Sequence, residues 1–428
     1  MPTRNDDGGR DWRRLVAVFF VTSLVEGLGV SQIFALLPAY LSGMGVTGDD
    51  RLRFVGIFSS LIFVVGAPLV PLWGVWADKY SRKAVIVRSA VVEAVVFAAV
   101  ALSREPWQLA ASLLLIGLQL GNTGVMLAGI RDVTPRARLG TTIALFGASG
   151  PLGFAIGPAL AGLLIDGLGW SIAAVFAVSS ALSVATALLV ALGSREVRPE
   201  VVPQGRTLDL AYGAVRGVLG DPAVRRILAI FGVAFLATQM ARPYVPVLVE
   251  GIVGRGPGLA SGIALVAGTA ALLGAIVSPL GGALGDRIGF RTVLVAALAG
   301  GGLALAGMPF AASLGLLALI SVAFAACSAA VSAMVFGLLA IEVPPERRST
   351  TLNLVYLPLY AAGIIGPAAG SVVAGSVGAS GPFLVGAVVF GLGALAVAVG
   401  GAAQAPAGDA SAAPREVRGE RSVDSAPD

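Results

Sequence analysis

Histidine is absent from this 428-residue chain, cysteine occurs once, and charged side chains make up only 12% of it. Each shortage excludes something. Without histidine the chain lacks the commonest proton shuttle and the commonest metal ligand. Proton chemistry then falls to carboxylates, and histidine-dependent membrane enzymes are ruled out. The single Cys327 allows no internal disulfide, and its apolar surroundings mark it as a small packing residue. No phosphate-cradling loop of the Walker type occurs, so nucleotide hydrolysis does not supply energy. No metal-ligand set, cofactor motif or nucleic-acid motif is present. Soluble domains carry about 25% charged residues, and a chain with half that share cannot clothe a water-facing surface.

What replaces charge is apolar length. Hydrophobic residues make up 57% of the chain, and long runs of them recur from Leu15 to Ala402. A helix needs about 20 apolar residues to cross the hydrocarbon of a bilayer. The runs predict spans at 15–41, 54–77, 84–102, 108–130, 140–165 and 170–193, then at 224–250, 258–282, 292–310, 314–341, 350–377 and 382–402. The expected fold class is an all-α integral membrane protein with twelve transmembrane helices. The predicted organisation is an N-terminus at 1–14, a six-helix half at 15–193, a central loop at 194–223, a second half at 224–402 and a disordered tail at 403–428. The apolar runs never stop, so a signal peptide ahead of a soluble domain is not expected. Within the central loop, 206–219 is amphipathic and is expected to lie on the membrane surface.

Twelve crossings put both ends of the chain on one side. Of the 29 basic residues, 24 fall on that side, counting Lys79, Arg82, Lys83 and Arg88. Arg51, Arg53, Arg104 and Arg255 fall on the other, and Arg242 lies within a span. The positive-inside rule therefore predicts cytoplasmic termini in a bacterial cell membrane.

The two halves repeat. The segment beginning at Gly74 reads GVWADKYSRK, and the one beginning at Gly282 reads GALGDRIGFR, an offset of 208. Pro38 and Pro71 match Pro246 and Pro279 at the same offset. Further on, Thr141-Thr142 and Gly157-Pro158 match Thr350-Thr351 and Gly366-Pro367 at 209. Two parallel six-helix repeats place a substrate site at the midplane between them. Duplication for a structural or receptor role is the alternative.

Gly74, Asp78, Lys79, Arg82 and Lys83 sit between spans 2 and 3, with Ser81 where a second glycine is expected. Gly282, Asp286, Arg287, Gly289 and Arg291 occupy the matching loop of the second half, with Phe290 in one basic position. Both resemble the G-x-x-x-D-[RK]-x-G-[RK]-[RK] signature of the major facilitator superfamily, and the resemblance covers residues 15–402. It implies the major facilitator fold and a gate. Asp78 is expected to face the start of span 11 near Ser349 and Thr350, and Asp286 the start of span 5, where a helix N-terminus favours an anion. The basic residues alone would also serve as topology signals.

On span 5, Gly153, Gly157, Pro158 and Gly162 resemble the glycine-proline pattern of the drug:proton antiporter branch, with Ala161 in one glycine position. Span 11 repeats it with Gly363, Gly366, Pro367 and Gly370. The resemblance implies a hinge of bent, close-packed helices; ordinary small-residue packing is the alternative. The arginine that this branch often carries on span 4, four residues before a glycine, is missing: Gly117 stands four residues before Gly121.

Only two carboxylates lie deep within spans, Glu26 and Glu93. An ionised group at the bilayer centre costs about 2.5–3.5 kcal/mol on insertion scales, which makes each a functional candidate. Glu26 lies on span 1, a cavity helix in the resembling fold, and can hold a proton and a cationic substrate in alternation. Glu93, on span 3, serves function or structure. Arg242, beside Gln239 on span 7, can contact substrate, pair with Glu26 or snorkel outward. Gln119 and Asn122 are the polar residues of span 4, and Asn353, Tyr356 and Tyr360 those of span 11, with Phe34 and Phe231 as aromatic surface. Such a wall suits amphipathic molecules rather than phosphates or highly charged sugars.

The expected function is secondary transport, proton-coupled export of drug-like compounds by a monomer in the bilayer. The alternatives are import of a small metabolite, such as a sugar or organic acid, and a membrane sensor without transport.

Overall fold

The computed structural model of the protein describes residues 6–199, 202–220, 222–342 and 357–400. Asn353, Tyr356, Ser349, Thr350 and the expected tail lie outside these. Within them twelve helices are long and apolar enough to cross a membrane. In the first half they are α1 Asp11–Gly43, α2 Gly48–Lys79, α3 Arg82–Leu102, α4 Pro106–Val133, α5 Arg136–Gly167 and α6 Ile172–Gly193. In the second they are α7 Val224–Val253, α8 Leu259–Val277, α9 Phe290–Phe310, α10 Leu314–Val335, α11 Leu357–Val377 and α12 Gly381–Val399. All twelve coincide with predicted spans, although α2 starts six residues earlier than expected and the helix of α8 runs on to Ile288. The bundle end that carries α1's start and α12's finish is called the terminal end here, and the opposite end the far end.

Local chemistry fixes the helix starts. Ser81 caps α3 by accepting from Ala84 N at 2.9 Å, and Ser171 caps α6 by accepting from Ala174 N at 3.2 Å. Outward faces stay apolar: Leu192, Leu303 and Val372 are each more than 70% exposed, as lipid contact requires. The amphipathic loop segment is a helix, Thr207–Gly220, close to its predicted range. It docks on the terminal half of α2, where Tyr212 Oη donates to Pro68 O at 2.8 Å.

Packing follows the sequence repeat. Inside the halves α1 packs on α5 and α7 on α11, while α3 packs on α6 and α9 on α12. Between the halves α2 packs on α11 and α5 on α8. The repeat holds to the level of single atoms. A Cβ at Gly157 would overlap the carbonyl oxygen of Leu28, and one at its repeat-mate Gly366 would lie 2.7 Å from that of Leu236, the residue 208 beyond Leu28. The glycine-proline stripe thus packs each half on its own first helix, with Gly162 against Ser261 and Gly363 against Phe63 as the points that face across.

This contact carries a prediction. Gly157→Ala should force α1 and α5 apart, because the neighbour is backbone and cannot swing away. We expect a melting temperature lowered by about 5 °C or more in detergent. Gly147→Ala, where an added Cβ meets nothing within 4 Å, should leave it unchanged. Equal melting curves for the two variants would contradict the packing.

Candidate functional site

A break in α4 organises the first half. Residues Gly117–Gln119 form a 3-10 turn, Leu120 is extended and Gly121 takes φ +97°, a conformation open to glycine. The carbonyls of Gln119 and Leu120 thereby lose their helical donors. Arg88 of α3 answers them, its Nη2 donating at 3.1 and 3.2 Å, while its guanidinium lies 3.7 Å from the Trp73 ring centroid. Arg88, counted above among the topology charges, is thus a residue of the bundle interior. Six residues beyond Arg82, it sits about 9 Å along the helix, beyond the reach of a loop count.

Around Arg88 gather the polar candidates. Asn122 Nδ2 donates to Glu26 Oε2 at 3.0 Å. Arg88 is near enough to attract the Glu26 carboxylate, and Glu93 near enough to repel it. Glu93 is 3% exposed and accepts from Ser183 Oγ at 3.4 Å. Glu93 Oε1, Gln119 Oε1, Asn122 Oδ1 and two Arg88 nitrogens are buried without a partner among the described residues. One guanidinium balances one carboxylate, so this cluster is neutral when Glu26 and Glu93 share a single proton. It can therefore exchange a proton against a change of charge. Gln32, which the sequence reading passed over, ties three helices: its Nε2 donates to Gly157 O at 3.1 Å, and Ser179 Oγ donates to its Oε1.

Among the described residues the second half shows fewer buried polar contacts. Arg242 does not pair with Glu26 and does not snorkel outward. Its guanidinium lies 5.5 Å from the ring centroid of Phe34 on α1 and 5.4 Å from that of Phe154 on α5. Helix α7 breaks beside it, a 3-10 turn over Arg242–Tyr244 forced by Pro243. Gln239 is buried with its Oε1 unpartnered. Each cation–π contact is worth about 0.5–2 kcal/mol, comparable with the cost of one charge in a span. The two rings hold the cation without supplying an acceptor. Phe231 packs edge-on against Phe235 on α7, the ring centroids 4.5 Å apart, and the Tyr360 ring centroid lies 6.4 Å from that of Phe63 of α2 across the half interface.

At the far end three hydrogen bonds join the halves. Arg51 Nη1 donates to Glu250 Oε2 at 2.7 Å, Tyr244 Oη to Leu52 O at 3.0 Å, and Ser261 N to Asp166 Oδ2 at 2.7 Å. Asp166 thus puts an anion on the N-terminus of a helix from the other half, the arrangement expected of Asp78 at the opposite end. Arg255 completes the cluster, its Nε 2.6 Å from Glu250 Oε1. In the sequence Arg51 and Arg255 are only minority charges, and Glu250 and Asp166 carry no signal, because the pairings of the two acids span 199 and 95 residues.

The signature loop between α2 and α3 is bonded to its own half and to the central loop. Arg82, 4% exposed, bridges Asp78 at 2.8 Å and Asp132 at 2.7 Å. Lys79 donates to Gly205 O, and Lys83 to Ser194 O at 2.9 Å. The N-terminus of α3 is held by Glu196, whose carboxylate accepts from Ser81 Oγ and from Arg82 N at 2.9 Å. Gly74 faces open space. In the second half Arg291 donates to the carbonyls of Val397 and Ala398 at the end of α12, and Arg287 is exposed. The surroundings of Gly282 and the side chain of Asp286 lie outside what the structure describes.

Comparison with known proteins follows this geometry. The family model described as Major Facilitator Superfamily matches residues 15–263 and 257–422. The multidrug resistance protein MdtG of Citrobacter koseri is 31% identical over 295 residues, covering 67% of this chain and 70% of that protein. MdtG of Salmonella typhi gives the same identity and coverage. Among solved structures, the nucleoside transporter NupG (D323A mutant) superposes with TM-score 0.72 at 16% identity, covering 90% of this chain and 99% of that one. The human organic anion transporter MFSD10 superposes with TM-score 0.64 at 19% identity, again covering 90% and 99%.

Proposed function

This chain belongs to the major facilitator superfamily and is a membrane transporter rather than an enzyme, and we propose that it exports amphipathic, drug-like molecules in exchange for protons by alternating access. The observation that carries the reading is the cluster of Glu26, Glu93 and Arg88 inside the first half. A chain without histidine holds two interacting carboxylates there, one of them attracted by a guanidinium, so a proton and a charged neighbour compete for the same ground. Two further features support it. The Arg51–Glu250 bridge closes the far end between halves, while Asp78 is engaged by its own half. On this reading the far end is closed, and the signature loop is the element that closes the terminal end in the alternate state. Kinship with multidrug resistance proteins favours export of drug-like cargo. On this reading the terminal end is cytoplasmic, the membrane is a bacterial inner membrane and the unit is a monomer.

Purified protein in proteoliposomes with an imposed pH gradient tests it. A panel spanning cationic tetraphenylphosphonium, neutral 2-naphthamide and anionic 2-naphthoate should include at least one compound moved against its own gradient. A protonophore should abolish that movement. Movement of none, or movement insensitive to the protonophore, would sink proton-coupled export.

A further inference from the structure

Arg242 and Phe34 are repeat-mates: 34 plus 208, the offset that relates Gly74 to Gly282, is 242. They also touch, the guanidinium carbon lying 5.5 Å from the ring centroid. Two residues exchanged by a pseudo-two-fold axis can meet only beside that axis. Arg242 therefore sits on the central line between the halves, where parallel-repeat transporters bind cargo. It is 11 residues from the far end of α7 at Val253, about 17 Å along a helix and near mid-depth.

We propose that Arg242, clasped by Phe34 and Phe154, is the binding site for the anionic group of a lipophilic organic anion, a carboxylate or sulfonate carried on an aromatic body. This rests on the transporter reading above and names the substrate class. Three observations support it. First, no hydrogen-bond acceptor or carboxylate engages Arg242 among the described residues; its contacts are the two rings. Guanidinium donors lie in the plane of the group, so aromatic contacts leave the planar fork of N–H bonds unused, and that fork matches a carboxylate or sulfonate edge. Second, the buried carboxylates are committed elsewhere. Glu26 lies eight residues from Phe34, about 12 Å along α1, and belongs to Arg88 and Asn122. Third, there is space beside the rings. Gly150 and Gly147 lie one and two turns from Phe154 on the same face of α5, and a Cβ at either would meet nothing within 4 Å. An aromatic body can lie along that face with its charge on Arg242. A phosphate ester, with two charges, would find only this one cation.

Binding to the detergent-purified full chain, measured by isothermal titration calorimetry, tests the site. The probes are 2-naphthoate and its neutral isostere 2-naphthamide. Wild type should bind the naphthoate about tenfold or more tightly than the amide, the margin of a charge-assisted pair. Arg242→Gln should bring the ratio to about one, and Arg242→Lys, which keeps a cation but loses the fork, should fall between. Phe154→Leu should weaken both probes together and leave their ratio unchanged. A purely structural Arg242 would shift the melting temperature in Arg242→Gln while the naphthoate preference, if any, persisted. Either that persistence or a wild-type ratio near one overturns the proposal. If 2-naphthoate fails to bind while tetraphenylphosphonium is moved in proteoliposomes, the anion site is wrong and export stands. If 2-naphthoate binds through Arg242 but no probe moves under a pH gradient, the site stands and coupled export falls.

Discussion

Glu26→Gln should abolish uphill, pH-driven movement of cargo while leaving downhill exchange within about twofold of wild type. Glutamine keeps the shape of the side chain and can still accept from Asn122, whose Nδ2 lies 3.0 Å from Glu26 Oε2. What it removes is the ability to gain and lose a proton. Arg88 then loses the carboxylate that attracts it and Glu93 the like charge that repels it, and one titrating carboxylate remains in place of two. A group that no longer changes charge cannot make one conformation's stability depend on the proton. Cargo exchange across equal pH needs only the alternation of access and should persist. Accumulation should fall at least tenfold, which corresponds to losing about 1.4 kcal/mol of coupling. The measurement is cargo accumulation in proteoliposomes with and without a pH gradient, set beside counterflow at equal pH. If the variant accumulates as wild type does, the coupling group is not Glu26, and Glu93→Gln becomes the deciding variant.

Breaking the far-end bridge should have an effect as large, on conformation rather than coupling. The side chains of Arg51 and Glu250 are 8% and 11% exposed, and their 2.7 Å contact joins α2 of one half to α7 of the other. Removing one partner of a hydrogen-bonded, largely buried pair costs on the order of 2–3 kcal/mol, much of it from the charge left behind. If access alternates as proposed, the halves part there and that cost falls on the far-end-closed state alone. Arg51→Ala should therefore shift the balance of states about 30- to 150-fold toward the far-end-open form. Spin labels on cysteines placed at the far ends of α2 and α7, in a Cys327→Ser background, would report it as a longer inter-label distance. The exchanged pair, Arg51→Glu with Glu250→Arg, should recover part of the closed population. Recovery will be incomplete, since Arg255 also contacts Glu250 at 2.6 Å and would face a like charge. Distances unchanged in Arg51→Ala would mean that the Tyr244 and Asp166 contacts hold the far end alone.

The residues involved in these effects differ in how readable they were. Glu26 stood out because a carboxylate amid an apolar run is conspicuous in one dimension. Arg88 did not: it lies six residues past Arg82 and merged with the basic loop, and only the break in α4 explains its inward turn. Glu250 lies at the end of a predicted span, where an acidic residue carries no signal until its partner 199 residues away is known. The glycine-proline stripes were visible on α5 and α11, but a stripe of small residues states only that something comes close. That the neighbour is the first helix of the same half was fixed by three-dimensional packing.

The sequence by itself determined the number of crossings, the two halves and the signature loop. Hydropathy and a repeat offset act along the chain, and a bilayer accepts few alternatives to helices of that length. The tertiary structure alone decided which charges meet. Arg242 could contact cargo, pair with Glu26 or snorkel outward on sequence grounds; folding placed it against Phe34, its own repeat-mate, because only the closing of two halves about an axis brings such a pair together. Electrostatic partners in this protein are set by distances between helices, and those distances are fixed by backbone-to-backbone contacts at a few glycines.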